Sequence, residues 1–390
     1  MDVISGRTDC RPADVDYDAS RIDVLNGFFA GMIADKKIQS ASYCISRRGK
    51  VFAHGSLGAL RFRGDDAPML PDSIFRIASV SKTFTAVAIM KLVEDGLLRL
   101  DSNVADILPQ FEAPPFDRIK VWHLLTHTSG LHPDSGCFNY KYVVSPWEHI
   151  ARKEKEDGIN TDWISAGLSV GLRRDVGTEW QYCSFGYILL GAVVSAVAGV
   201  PATDYIRNSI IKPLNLADTD FGMTPDMALR AAYNVEHIER EVHSILHPGK
   251  VKEASVWDHI DDTGGGIYST ARDLNRFGNM MLGNGRLDSV RILGRKSVEK
   301  MTTNALQHIP DHCWGHEYED RWYGMGFDML SANDCLTTPG HYFHEGAGGC
   351  ALVIDPAEDM VAAWSALYTG GAFQGTALYN AQNIMWSGLN

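Results

Sequence analysis

The sequence has no long apolar run, few basic residues and few cysteines, and each shortage argues against a class of protein. No segment approaches the ~20 apolar residues that a membrane-spanning helix needs. Lys and Arg number 36 against 48 Asp and Glu, and the net charge of −12 argues against nucleic acid or an anionic membrane surface as the main partner. The seven cysteines are odd in number and include no C-x-x-C pair, which favours free thiols in a reducing compartment.

The N-terminal residues 1–10 (MDVISGRTDC) lack a basic segment followed by an apolar core. This is not the pattern of a signal peptide, so we expect a cytoplasmic protein, or one from which a leader has been removed. The 390 residues, 45% of them hydrophobic, suffice for one large domain or two moderate ones. Nothing in the sequence indicates the oligomeric state.

Patterns that are typical of metal or phosphate sites are incomplete in this chain. His123 and His127 are four residues apart, but Leu124 stands where the zinc-protease motif requires glutamate, which favours packed structural histidines. Residues 312–316 (HCWGH) have no second ligand group at a known spacing. Residues 263–270 (TGGGIYST) lack the Walker spacing. We therefore predict neither a metal site nor a cofactor.

The first candidate for catalysis is a serine–lysine pair in residues 75–86 (FRIASVSKTFTA), at the start of a strongly helical run. Ser79 and Lys82 are three residues apart and would share one helix face, about 5–6 Å apart at Cβ, so the amine can activate the hydroxyl. If Ser79 opens the helix, its N–H points to where developing negative charge is stabilised. Ser81 is the rival nucleophile, but it would face elsewhere on the helix.

This segment closely resembles the nucleophile segment of the serine β-lactamase and penicillin-binding-protein superfamily. Within it, the segment is most similar to the branch of class C β-lactamases, D-Ala-D-Ala carboxypeptidases, D-aminopeptidases and family VIII carboxylesterases. The resemblance implies acyl transfer: Ser79 attacks a carbonyl, Lys82 and a tyrosine shuttle its proton, and water releases the acyl group.

A second stretch, residues 177–191 (GTEWQYCSFGYILLG), resembles the superfamily motif of a tyrosine with a polar residue two positions on. Tyr182 and Ser184 stand at those positions. Tyrosine suits the base role if neighbouring cations lower its pKa, because the phenolate accepts the proton. Cys183, between them, has no histidine partner placed by the sequence, so we interpret it as structural or incidental.

A third stretch, residues 341–349 (HYFHEGAGG), precedes a predicted hairpin and stands in the place of the superfamily's Lys/His-Thr-Gly motif. The resemblance implies that His344 and Gly346 line the site. It also implies that the N–H of Ala347 joins that of Ser79 in an oxyanion hole. Neighbouring side chains on a strand point to opposite faces, so His344 and Glu345 cannot both line the pocket.

The resemblance covers residues 20–388 and implies an α/β (α+β) fold of the β-lactamase/transpeptidase-like type. We expect a mixed sheet flanked by helices, built from about 20–80 plus 245–388, with a mostly helical part inserted at about 81–244. Apolar periodicity also predicts particular elements. These are a helix from residue 20, hairpins around 47–50 and 355–359, and a closing helix at 377–389.

Two departures from the superfamily pattern predict the substrate. Ser184 replaces the usual asparagine, which can hydrogen-bond the acyl-side amide, and His344, largely neutral at pH 7, replaces a permanent cation. We therefore expect a serine hydrolase of small esters or amides, similar to the family VIII esterases, whose partner is a small ester, amide or short peptide. A D-aminopeptidase, D-Ala-D-Ala carboxypeptidase or β-lactamase is the alternative. A penicillin-binding or sensing module without turnover also stays open.

Overall fold

The computed structural model describes residues 2–63, 67–137, 145–249, 255–329, 335–369 and 375–390. Its strands in chain order are β1 (Ile4–Ser5), β2 (Ile38–Arg47), β3 (Lys50–Gly58), β4 (Phe75–Arg76), β5 (Tyr268–Ser269), β6 (Arg286–Leu287), β7 (Val290–Arg291), β8 (Tyr342–Gly346), β9 (Cys350–Asp355) and β10 (Met360–Tyr368). Six of them form the central sheet in the order β1-β3-β2-β10-β9-β8. The remaining four form two small pairs, β4 with β5 and β6 with β7.

The α-helices are α1 (Ser20–Ala34), α2 (Ser81–Glu94), α3 (Val121–Leu125), α4 (Pro146–Asp157), α5 (Trp163–Leu168), α6 (Ser184–Ala198), α7 (Ala202–Ile206), α8 (Pro225–Leu229), α9 (Glu236–Leu246), α10 (Ala271–Leu282), α11 (Arg295–Met301) and α12 (Gly375–Trp386). Short 3-10 turns occur at Pro12–Val15, Ala78–Val80, Val104–Asp106, Pro109–Phe111, Phe116–Arg118, Val256–His259 and Cys313–Gly315, and a π-helical turn at Arg207–Ile211.

The first hairpin of the sheet follows from its turn residues. Arg48 and Gly49 join β2 to β3, and both have positive φ, 53° and 72°. Two left-handed residues make the tight turn whose twist matches that of the flanking strands. The predicted hairpin around residues 47–50 is therefore present, with Arg47 paired to Lys50.

Helices cover both faces of the sheet, which explains the apolar character of its central strands. Helices α1 and α12 pack on one face, where Trp364 is fully buried, and α10 packs on the other, against β9 and β10. Every residue of β9 and β10 is buried. A strand that is covered on both faces has no side that contacts solvent, so its sequence does not alternate between apolar and polar residues.

The predicted fold class, a sheet flanked by helices, is confirmed. The sheet is not mixed in strand direction, however, because every pair among the described strands is antiparallel. The boundaries that divide the chain into an α/β part and a helical part stay a prediction. Among the described residues no single helix is long and apolar enough to cross a membrane, although one bent pair, Ser184–Ala198 with Ala202–Ile211, meets the criteria of length and composition.

Candidate active site

Ser79 lies in the 3-10 turn that precedes α2, and its side chain is partly exposed. The expectation that Ser79 opens the α-helix is corrected, since α2 begins two residues later, at Ser81. The turn is held in place by β4, which pairs with β5, and by the N–H of Ile77, which donates to the carbonyl of Ile267 at 2.9 Å. A reactive hydroxyl is thus presented on a short, tethered segment.

Lys82 is fully buried and lies at the centre of the site. Its Nζ is 2.9 Å from Oγ of Ser79, 3.0 Å from Oγ of Ser184 and 2.8 Å from the carbonyl oxygen of Gly264. Burial lowers the pKa of Lys82 to about 8, although nearby acidic groups oppose this. A lysine with such a pKa is available as a neutral amine close to physiological pH, as a general base must be.

The two rival nucleophiles are placed elsewhere. The hydroxyl of Ser81 is fully buried and accepts a hydrogen bond from the N–H of Ile267 at 3.1 Å. The thiol of Cys183 is buried and donates to the carbonyl of His132 at 3.2 Å, and burial raises its pKa to about 12. Neither group is exposed to a substrate, and the thiol is not ionised near neutral pH.

Tyr182 is in contact with both members of the pair, but in different ways. Its hydroxyl interacts with the side chain of Ser79, whereas Nζ of Lys82 lies over its ring, 4.9 Å from the centroid. Burial and the charge of Asp134 raise the pKa of Tyr182 well above 10. The condition we set for tyrosine as the base, a pKa lowered by cations, is therefore not met. Tyr182 is a neutral phenol that can donate a proton.

Ser184 is hydrogen-bonded through its hydroxyl to two groups of the site. Its hydroxyl accepts a hydrogen bond from Lys82 and donates to Oδ2 of Asp134 at 2.5 Å, and its N–H donates to Oδ1 of Asp134 at 2.7 Å. The N–H of Asp134 donates to the carbonyl of Tyr182 at 2.9 Å, which ties the two segments together. The sequence did not single out Asp134, because no motif marks it, and it gave no sign that the carbonyl of Gly264, in the glycine-rich stretch 263–270, would contact Lys82.

On β8 the side chains alternate as predicted. His344 is buried on the face of the site, with its ring 6.3 Å from that of Tyr182. Glu345 points to the opposite face, where the hydroxyl of Tyr379 on α12 donates to its Oε2 at 3.3 Å. Burial, with a smaller contribution from the charge of Asp328, raises the pKa of Glu345 to about 7. Of the two neighbours, His344 is the one that can meet a substrate.

His344 is a neutral hydrogen-bond acceptor. Burial and the charge of Lys82 lower its pKa to about 3. Its Nδ1 lies 2.7 Å from the carbonyl oxygen of Glu345, and a carbonyl can only accept, so Nδ1 carries the proton. The other ring nitrogen, Nε2, is buried and has no partner among the described residues. Its lone pair therefore accepts no hydrogen bond from the described residues.

The end of β8 lies against the segment that leads to Ser79. A Cβ on Gly346 would be 2.3 Å from the carbonyl oxygen of Ile77, so only glycine permits this approach. The thiol of Cys350, opposite Gly346 on β9, donates to the same oxygen at 3.0 Å. Ala347 follows Gly346 in a turn and is exposed, as a donor to an oxyanion beside Ser79 would be. Its role stays a prediction.

The histidines of the candidate metal patterns serve local structure. Nδ1 of His123 accepts the N–H of Lys120 at 3.0 Å, and Nδ1 of His127 accepts the N–H of Cys183 at 3.1 Å. His316 pairs with Asp311 at 3.0 Å. Within the described ranges no group of three or more metal-ligating side chains comes together.

Residues 167–171 (GLSVG) form a G-x-S-x-G pattern, which marks the nucleophile of α/β-hydrolases when it lies at a strand-to-helix turn. Here Ser169 instead follows the short helix α5, and its hydroxyl donates to the carbonyl of Ala166 at 2.7 Å. The element directly before Ser169 is this helix and not a strand. The geometry is that of a helix end, so Ser79 stays the candidate nucleophile.

An aromatic side chain that the sequence did not single out borders the site. Trp314 is 50% exposed, and its ring lies 5.3 Å from that of Tyr182. Its backbone has a positive φ of 54°, and its N–H donates to the carbonyl of Cys137 at 2.6 Å. A half-exposed indole that is fixed in this way offers an apolar wall for a bound substrate.

Comparison with known proteins agrees with this geometry. A β-lactamase family model matches residues 25–381. Penicillin-binding protein 4 of Amycolatopsis lactamdurans is 30% identical over 80% of this chain and 78% of its own length. Among solved structures, a penicillin-binding protein homologue from Caulobacter crescentus has a TM-score of 0.74 at 19% identity over 100% of both chains.

A family VIII carboxylesterase structure has a TM-score of 0.71 at 18% identity, over 98% of this chain and 99% of its own. At such identities the two structures show a common fold and leave the substrate undetermined. The resemblance inferred from the Ser79, Tyr182 and His344 segments is thus confirmed at the level of the family. The chain belongs to the β-lactamase family and is a serine hydrolase of that superfamily.

Proposed function

We propose that this protein hydrolyses small, uncharged esters through an acyl-enzyme on Ser79, with amides as slower substrates. The observation that carries the proposal is the neutral His344 beside a Ser79–Lys82 pair that is set up for nucleophilic attack. The pair supplies the chemistry of acyl transfer. The histidine supplies a hydrogen-bond acceptor at a position where a permanent cation would favour a substrate carboxylate.

The residues suggest how the first step would proceed. Neutral Lys82 accepts the proton of Ser79 as Oγ bonds to the carbonyl carbon, and the N–H groups of Ser79 and Ala347 stabilise the oxyanion. When the intermediate collapses, the bond to the alcohol breaks and the departing oxygen needs a proton. The neutral phenol of Tyr182, which contacts Ser79, is placed to donate one.

The second step reverses these roles. A water molecule attacks the acyl carbon and loses a proton to the phenolate that Tyr182 became in the first step, and the bond to Oγ breaks as the Lys82 ammonium returns its proton to that oxygen. Ser79 recovers its proton and the acid is released. Lys82 therefore acts first as base and then as acid, and Tyr182 acts first as acid and then as base.

The charges around the site favour uncharged substrates. Glu345 contacts α12 and does not face His344, so it gives no support to a D-aminopeptidase that would attract a free ammonium group. The hydroxyl of Ser184 donates its single proton to Asp134 and accepts from Lys82, so it has no proton left for the carbonyl of an acyl-side amide. The site thus lacks both the asparagine and the permanent cation that the resemblance assigns to peptidases and β-lactamases.

The proposal is tested by a substrate panel. We expect kcat/KM to be higher on p-nitrophenyl acetate and butyrate than on nitrocefin, D-alanine p-nitroanilide or D-alanyl-D-alanine peptides. Efficient hydrolysis of nitrocefin or of the peptides together with poor esterase activity would contradict it. Covalent labelling without any turnover would instead favour a binding or sensing module.

The nucleophile is tested by mass spectrometry after treatment with a fluorophosphonate. The adduct should lie on Ser79, and Ser79→Ala should lose both adduct and turnover. Ser81→Ala is the matched control, since its hydroxyl lies nearby but binds the backbone of Ile267, and it should keep the adduct. A label on Ser81 or Cys183 would refute the assignment.

A further inference from the structure

A chain of hydrogen bonds leads from the nucleophile through Lys82 and Ser184 to the carboxylate of Asp134. The links are 2.9 Å from Nζ to Ser79, 3.0 Å from Nζ to Ser184 and 2.5 Å from Ser184 to Oδ2 of Asp134. Asp134 forms no ion pair with a Lys or Arg of the described residues. Its two oxygens are instead occupied by the hydroxyl and the N–H of Ser184.

The direction of these bonds is fixed by chemistry. An ionised carboxylate can only accept, so the hydroxyl proton of Ser184 points to Asp134. The oxygen of Ser184 must then accept its other hydrogen bond, which obliges Lys82 to donate to it. The carbonyl of Gly264 likewise accepts from Lys82, at 2.8 Å. Two of the three positions on Nζ are therefore donors in either protonation state.

The third position on Nζ faces Ser79. In the ammonium form it holds an N–H, and in the neutral amine it holds the lone pair. We propose that Asp134 is a positioning residue that acts through Ser184 to direct the titrating position of Lys82 at the hydroxyl of Ser79. This inference rests on the proposed function, since it concerns how the nucleophile of that reaction is activated.

The charged groups near Lys82 determine how far its pKa would change if Asp134 were replaced. Two carboxylates, Asp134 and Asp262, raise the pKa of Lys82 against the larger effect of burial. Asp262 is 43% exposed and paired with Arg76 at 2.7 Å, so its charge is partly neutralised. The other titratable side chains that interact with Lys82 are Cys137, Cys183, His127, His344, Tyr182 and Tyr187.

Asp134→Asn removes the charge and the directional constraint together. An asparagine amide can donate to Ser184, which frees the serine proton to bind the lone pair of Lys82 in competition with Ser79. We expect the rate at which Ser79 is labelled, at the pH where it no longer rises with pH (the plateau), to fall about tenfold or more. A positioned base contributes about 10² or more to such a step. The pKa of Lys82 should also fall, which moves the acid limb of the pH profile to lower pH by about one unit.

The measured quantity is the second-order rate constant for labelling of Ser79 by a small fluorophosphonate, from pH 5 to 10. In this reaction the Oγ–P bond forms, the P–F bond breaks, fluoride leaves, and the serine proton passes to Lys82. The rate therefore reports the activated nucleophile without any assumption about the natural substrate. A thermal unfolding curve of each variant shows whether that variant is folded.

Ser184→Ala is the second variant, because it breaks the same link and keeps the charge of Asp134. Its plateau should fall to a similar level, and the double variant should be no slower than either single one, since both remove one interaction. Asp262→Asn is the matched control, a second carboxylate that raises the pKa of Lys82 but is not bonded to Ser184. It should keep the wild-type plateau.

The outcomes separate this inference from the proposed function. The role of Asp134 is overturned if folded Asp134→Asn keeps a plateau within about twofold of wild type. It is also overturned if the acid limb of the pH profile of this variant does not move. The role is overturned as well if the loss of labelling rate in the double variant equals the product of the two single losses. If Asp134→Asn does not fold, an unchanged plateau in Ser184→Ala decides against it. Absence of a Ser79 adduct in the wild type would instead refute the proposed function.

Discussion

Replacing Gly346 by alanine tests the contact on which the predicted oxyanion hole depends. The added Cβ would lie 2.3 Å from the carbonyl oxygen of Ile77 and 2.4 Å from Sγ of Cys350. Ordinary van der Waals contact begins at 3.4 Å, so the strand must move by about 1 Å away from the segment that carries Ser79. Ala347, the next residue, moves with it.

The expected effect is large for catalysis and moderate for stability. Loss of one oxyanion donor costs about 10²–10³ in kcat, and a misplacement of about 1 Å has a comparable cost. We therefore expect kcat/KM on p-nitrophenyl acetate to fall at least about a hundredfold in Gly346→Ala. Overpacking of this kind costs about 1–3 kcal/mol of stability, which the melting temperature reports separately.

Gly31→Ala is the matched control, because a Cβ on this α1 glycine meets nothing within 4 Å. It should keep full activity and unfold at a slightly higher temperature, since alanine favours a helix over glycine. Activity of folded Gly346→Ala within about twofold of wild type would refute the idea that the end of β8 completes the oxyanion site beside Ser79.

Three further predictions concern the acid–base groups. Because burial lowers the pKa of Lys82 to about 8 and the neutral amine is the reactive form, kcat/KM should fall about tenfold per pH unit below pH 8; a pH profile that is flat from 6 to 9 would contradict this. Lys82→Ala, Tyr182→Phe and the double variant should show similar residual rates in steady-state assays, as expected for one proton-transfer unit; multiplicative losses would separate their roles. Glu345→Gln should leave kcat/KM unchanged. The raised pKa of Glu345, about 7, means that the folded state favours the protonated form and loses that stability as pH rises through 7. The variant should therefore melt above wild type at pH 8 and not at pH 4.5, and a changed KM would instead place Glu345 in the pocket.

The sequence by itself determined the elements and pairings that depend on a few neighbouring residues. The turn at Arg48 and Gly49 needs only two residues that tolerate positive φ, and the opposite directions of His344 and Glu345 follow from the geometry of any strand. The contact between Ser79 and Lys82 was predicted from a spacing of three residues. The contact is present although Ser79 lies in a 3-10 turn and not in the α-helix, because residues three apart still share one face.

The tertiary structure alone decided the electrostatics of the site. Asp134 reaches Ser184 across 50 positions of the chain, and no local pattern marks a carboxylate that acts at such a distance. The base role of Tyr182 required a lowered pKa, and its pKa rises instead, because burial and the charge of Asp134 disfavour the phenolate. Burial is a property of the packed chain and not of a motif. The sequence thus named the reacting groups, and only their packing decided which of them can serve as the base.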